Sequence, residues 1–242
     1  MLDNLNPKAV LFDLYGTLLD IQTDEQRPEL WQTLARYLRY QGLPADAGRL
    51  QESFAEMVDR GQQDSSEQYP ETDVRGLFSQ IVQDLGCLQP GPFSTDVSRL
   101  FRTLSIVRME LFDDTLPVLQ ALRTKFKIGL VSDAQRVFLQ PEIEMTGLAP
   151  LLNVVIISTD YGFHKPDPRL FASALSLLGI DSQSAIFIGD SVRRDICGAE
   201  NANIPAVLLA RDGRREGDDA AQRRYPTVNS LSEVCEWLLP RA

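Results

Sequence analysis

The chain has 242 residues, 43% hydrophobic and 24% charged, enough to bury a core without staples, which excludes a disordered chain, a collagen and a disulfide mini-scaffold. Lys and Arg number 24 against 34 Asp and Glu, a formal charge of −10 that repels the phosphate backbone a general nucleic-acid binder must neutralise. Cys87, Cys197 and Cys235 lie far apart with no Cys-x-x-Cys pair, so buried thiols in a reducing compartment are expected, not a zinc ribbon or redox couple.

The opening MLDNLNPKAVLF carries an acid at Asp3 and no apolar stretch of secretory length, and no run nears the roughly 18 residues that span a bilayer. The expectation is a cytoplasmic monomer or homodimer acting on a small molecule, with neither nucleic acid nor membrane as partner.

In chain order, AVLFD (9–13) is a short apolar run that reads as a buried strand. The segments 27–42, 47–61, 72–86 and 94–108 then place apolar residues at helical spacing, and Gly closes three of them. This predicts a helical cap over 21–108, inserted after strand one and punctuated by Pro70 and the QPGP of 89–92.

Beyond the cap, a helix at 114–126 leads into the strand KIGLVS (127–132), and NVVIIS (153–158) follows. A helix at 166–179, the strand AIFIGD (185–190), a helix at 195–202 and the strand PAVLLA (205–210) complete an alternation of strand and helix. The predicted fold is a doubly wound parallel α/β sheet, with residues 1–20 and 109–242 as the core domain. The charged segment 212–224 reads as a solvated loop and 230–239 as a closing helix.

In open parallel sheets the ligand sits at the carboxyl ends of the strands. Asp13, Ser132 with Asp133, and Asp190 end such runs, and Lys165 follows the third run by a short loop. Singly, each has an ordinary structural role: Asp13 in a turn, Ser132 as a helix cap, Lys165 in solvent, Asp190 and Asp195 serving the next helix. Together they bring two carboxylates, a hydroxyl and an ammonium to one crevice.

The strings FDLYGTLLD (12–20), VSDA (131–134), HKPDPRLF (164–171) and FIGDSVRRDICGAENANI (187–204) resemble, in order, the four motifs of the haloacid dehalogenase superfamily of hydrolases, whose core is Rossmann-like. The resemblance implies that Asp13 is a nucleophile forming a covalent intermediate, with Gly16 and Thr17 in the tight turn after it. It makes Ser132 a hydrogen-bond donor to the transferring group and Lys165 the cation that offsets charge there. It also implies magnesium held by Asp190, with help from Asp195, by a carboxylate oxygen of Asp13 and by the backbone carbonyl of Tyr15, an all-oxygen set suited to a hard cation.

Most phosphatases and phosphomutases of the superfamily carry an acid-base aspartate two residues after the nucleophile, where this chain has Tyr15. A phenol with a reference pKa of about 10 replaces a carboxyl group poorly. The string D-x-Y-G-T is what the 2-haloacid dehalogenases of the superfamily show, and a leaving halide needs no proton. Those enzymes resemble S-S-N-x-x-D in motif four and use no metal. They also have Asn and Tyr where this chain has Asp133 and Phe171, and Asp133 should repel an anion unless it points away or is paired.

A magnesium-dependent phosphatase acting on a small phosphorylated metabolite is therefore the favoured expectation. A dehalogenase-like hydrolase and a catalytically weak binding protein are the alternatives. Of the remaining candidates, His164 is read as incidental, Arg193 and Arg194 as facing solvent, and Trp31, Tyr37 and Tyr40 as cap core, one of them open to substrate. Asp24 and Glu25 are read as the hinge into the first cap helix.

Overall fold

A computed structural model describes residues 6–211 and 224–239. Its main sheet is six-stranded and parallel, in the order β5(Val154–Ile157), β4(Lys127–Ser132), β1(Ala9–Phe12), β6(Ala185–Gly189), β7(Ala206–Leu209), β8(Thr227–Val228). Successive strand residues face opposite sides, and both sides are covered, which is why these strands are unbroken apolar runs. In β1, Val10 and Phe12 join one core cluster and Ala9 and Leu11 the other, all fully buried.

The first cluster packs under α5(Thr115–Leu122), α6(Arg136–Met145) and α9(Leu231–Leu238). The second packs under α7(Pro168–Leu178) and α8(Cys197–Asn201). Gly129 in β4 lets the two neighbouring strands close up, since a Cβ there would lie 2.4 Å from Leu11 and 2.8 Å from Val154. The three cysteines are free thiols, each half-buried.

Four helices, α1(Pro28–Tyr40), α2(Ala47–Asp64), α3(Val74–Asp84) and α4(Pro90–Ser105), bury a core of their own. Trp31, Phe54, Phe78 and Phe101 pack ring against ring there, with centroids 5.1 to 5.5 Å apart. Phe138 of α6 is buried in the same cluster and ties the four helices to the sheet domain.

The reading of 21–108 as almost wholly helical is corrected at both ends. Leu19–Thr23 (β2) and Ile106–Leu111 (β3) form an antiparallel ribbon, with Leu19 opposite Leu111 and Ile21 opposite Met109. The run Ile106-Val107-Arg108-Met109 satisfies helical spacing as well as alternation, and its partner strand lies far away in the chain, so local pattern misassigns it. The ribbon spans the junctions expected at 20 and 109.

The helix expected at 195–202 is also altered. A single π-helical turn, Val192–Ile196, precedes α8. The expected loop at 212–224 lies outside the described residues but for Arg224.

Candidate active site

β1 delivers Asp13 to the carboxyl edge of the sheet, where its N–H donates to the Ile188 carbonyl of β6 at 3.0 Å. The adjoining strands β4 and β6 end at Ser132 and Gly189, so Ser132 and Asp190 reach the same edge. Lys165 arrives from the loop after β5 and is 2% exposed. Its Nζ donates to Asp13 Oδ1 at 2.5 Å and to Asp195 Oδ1 at 2.6 Å.

Two glycines make these approaches possible. Gly16 has φ +88°, and a Cβ on it would stand 2.4 Å from Asp190 Oδ2. A Cβ on Gly189 would stand 2.5 Å from the Asp195 side chain. Thr17 Oγ1 donates to Asp190 Oδ1 at 3.2 Å, and the Ser191 N–H donates to Asp195 Oδ2 at 2.9 Å. Ser132 Oγ is fully buried with no hydrogen-bond partner among the described residues.

Asp13, Asp190 and Asp195 bring one carboxylate oxygen each within 4.8 Å of one another, while a single ammonium faces them. Burial is the main reason the Asp13 carboxyl is pushed up to about 8; Lys165 opposes the shift, and Asp195 and Asp190 add to it. Burial and then Asp195 push Asp190 up to about 6. For Lys165, burial disfavours the charged form, but Asp13, Asp195 and Asp133 outweigh it and hold the ammonium protonated above its usual range.

This surplus of buried negative charge fits a divalent cation, and so does the all-oxygen donor set. Asp13 and Asp190 each keep an oxygen uncommitted to the contacts above. Both Asp195 oxygens are taken, one by Lys165 and one by Ser191, so Asp195 acts here mainly to hold the ammonium.

Tyr15 points elsewhere. Its hydroxyl donates to Glu142 Oε2 of α6 at 2.6 Å, and Arg102 Nε of α4 donates to Glu142 Oε1 at 2.7 Å. The Arg102 guanidinium also lies over the Tyr15 and Phe138 rings, 5.4 and 5.1 Å from their centroids. Burial and the Glu142 charge raise the phenol well above its ordinary value, so it stays protonated. Burial disfavours the Arg102 charge, but Tyr15 and Glu142 more than restore it.

A cavity of about 390 Å³ opens between the helical unit and the sheet, bordered by Tyr15 and Asp133 from the carboxyl edge of the sheet and by Glu25, Glu71 and Arg102 from the cap side. Asp133 Oδ1 accepts from the Lys165 backbone N–H at 2.8 Å, so its charge is engaged by the loop it neighbours. Glu71 accepts from Thr72 N–H, Gln135 Nε2 and Ser158 Oγ, and burial raises its pKa. The segment between α2 and α3 is also tied to the Lys165 loop, through His164 N–H to the Tyr69 carbonyl at 2.9 Å and Glu71 N–H to the Gly162 carbonyl at 3.0 Å.

Three secondary expectations change. His164, read as incidental, borders the cavity and sets its Nδ1 2.6 Å from the Lys165 carbonyl. Because a carbonyl only accepts, Nδ1 carries the proton. Arg193 is exposed, as read, whereas Arg194 is half-buried with its N–H on Ser191 Oγ; both border the cavity.

Trp31 is buried in the cap core, Tyr37 stacks on Phe93 and Tyr40 is 88% exposed, so none of the three borders this cavity. Glu25 reaches it, while Asp24 caps the Gln26 N–H at the start of the hinge. Arg102, Glu142 and Glu71 were not singled out from sequence. Glu142 alone leaves a local trace, as an acid on the apolar face of α6 between Leu139 and Ile143.

The family model for haloacid dehalogenase-like hydrolases matches residues 7–203, and the chain belongs to that family of hydrolases. A glyceraldehyde 3-phosphate phosphatase of Methanopyrus kandleri is 25% identical over 205 residues, covering 84% of each chain. The crystal structure of a HAD phosphatase from Thermococcus onnurineus is similar at TM-score 0.63 and 26% identity, covering 96% of this chain and 98% of that one. A 2-haloacid dehalogenase from Pseudomonas syringae pv. Tomato DC3000 shares the fold at TM-score 0.68 and 22% identity, with the same coverage. Among the described residues no helix is long and apolar enough to cross a membrane.

Proposed function

We propose that the protein is a magnesium-dependent phosphatase of small phosphorylated metabolites, working through an aspartyl-phosphate on Asp13. The observation that carries this reading is the constellation of buried Asp13 and Lys165 with half-buried Asp190, beside a Ser132 hydroxyl that has no partner among the described residues. An unpaired buried hydroxyl costs about 1–3 kcal/mol, and a phosphoryl oxygen would remove that cost. Similarity to named phosphatases supports the same class.

In this mechanism an Asp13 oxygen attacks phosphorus and the bond from phosphorus to the alcohol oxygen breaks, the alkoxide taking its proton from solvent; water then attacks the aspartyl phosphate, releasing inorganic phosphate and restoring Asp13. Ser132 and Lys165 are aimed in advance at the charge that develops on the phosphoryl oxygens. Asp195 holds Lys165 against Asp13, and Thr17 holds Asp190. Asp13 and Asp190, with the Tyr15 carbonyl, would hold the magnesium ion, which supplies charge neutralisation at the phosphoryl group and keeps the nucleophile ionised. The Tyr15 phenol, committed to Glu142, does not deliver the leaving-group proton.

That last feature supports a second reading, a 2-haloacid dehalogenase, since halide departure requires no acid at position 15. One experiment separates the two. Inorganic phosphate release from a panel of small phosphate esters is measured with magnesium and with chelator, using Asp13→Asn as the blank. Release that needs both magnesium and Asp13 is expected. Halide release from 2-haloacids with no phosphate from any ester would replace the phosphatase with the dehalogenase, and silence in both assays would leave a binding protein.

A further inference from the structure

Acids and cations both line the crevice, and most of them already have partners. Glu71 accepts from Thr72, Gln135 and Ser158, and Asp133 Oδ1 accepts from the Lys165 N–H. Arg102 is held by Glu142. Arg193 is the cation there with none: among the described residues it has no ion pair and no side-chain hydrogen bond, in a protein of charge −10.

Arg193 and His164 also border a second cavity of about 410 Å³, so together they stand at the partition between two concave spaces. The position of Arg193 is fixed from the catalytic side. It lies in the π-helical turn Val192–Ile196, three residues after Asp190, and the same turn carries Asp195 to Lys165. Its place in the chain relative to Asp190 and Asp195 is thus set by this turn and not by the cap.

We propose that Arg193 recognises a second oxyanion on the substrate, so that the preferred substrates are small phosphate esters whose alcohol portion carries a carboxylate or another phosphate. This rests on the phosphatase reading and adds the class of alcohol. A guanidinium offers a planar fork of donors that matches both oxyanions. An uncharged alcohol portion would leave the guanidinium without a partner, and a cationic one would be repelled.

The test compares phosphoglycolate with ethyl phosphate, which differ chiefly by carboxylate against methyl, on the magnesium-loaded enzyme. The expected kcat/KM favours phosphoglycolate by at least about tenfold, and Arg193→Gln shrinks the ratio to within about threefold, mostly through KM. Arg193→Lys should keep part of the preference, which a purely structural role would not produce.

Calorimetry of both compounds on Asp13→Asn, alone and combined with Arg193→Gln, reads the same preference without turnover. Phosphate release from both esters at equal efficiency, unaltered by Arg193→Gln, would overturn the proposal while leaving the phosphatase intact. Binding that favours phosphoglycolate and depends on Arg193, with no phosphate released from any ester, would sink the phosphatase reading but not the anion site. Equal binding of the two compounds would overturn the site on its own.

Discussion

As the proposed nucleophile Asp13 also carries a cost, because burial and two neighbouring acids oppose its ionisation. Asp13→Asn removes that burden and leaves Lys165 paired with Asp195. The variant should therefore lose phosphate release by about three orders of magnitude or more while its melting temperature holds or rises. A folded variant with residual turnover within tenfold of the parent would place the nucleophile elsewhere. Gly16 is a sharper case. At φ +88°, with Asp190 Oδ2 2.4 Å from where a Cβ would sit, Gly16→Ala should cost upwards of about 1 kcal/mol and displace Asp190. Magnesium titration of the variant should show weakened affinity, and unchanged affinity would contradict the role given to Asp190.

At the scale of elements, cap and core are joined by β2 and β3, by Phe138 and by the Arg102–Glu142 pair, which is 13% and 5% exposed. Glu142→Ala strands a buried guanidinium, so urea unfolding should report a loss of about 3–5 kcal/mol. Glu142→Gln, which keeps an acceptor but not the charge, should lose markedly less, and equal losses would mean that the charge and not the acceptor carries the pair's contribution. The elements that sequence reveals and those it hides divide on the same ground. Asp13, Ser132 and Asp190 stand out because each ends an apolar run whose burial on both faces is written locally. The β2–β3 ribbon, the Tyr15–Glu142 bond across 127 residues and the Arg102–Glu142 pair across 40 depend on distant partners, and no local period encodes them. Arg193 was legible as a residue and illegible as a cavity wall, because an exposed charge on a turn looks the same wherever the turn points.

For the whole molecule, the acidic cluster links folding, protons and metal. Asp13 and Asp190 are raised in the folded state, to about 8 and about 6, from ordinary values of 3.8. A raised carboxyl contributes stability that is complete below its unfolded value and is lost as pH rises through its folded one. In chelator, the melting temperature should therefore fall between about pH 4 and pH 8 on account of this pair. Magnesium should restore it, more at pH 8 than at pH 5, because the cation competes with protons for the same oxygens. Equal stabilisation at both values would argue that these carboxylates do not hold the metal.

The central claim, a phosphoryl group carried covalently by Asp13, is tested most directly by trapping it. A single turnover of a phosphate ester labelled with ³²P, run with magnesium and quenched in acid, should leave label on the protein that hydroxylamine releases and that maps to the peptide containing Asp13. The label should be absent from Asp13→Asn and from the chelated enzyme. Phosphate released under the same conditions with no protein-bound label at any time, and with Asp13→Asn still active, would contradict the account.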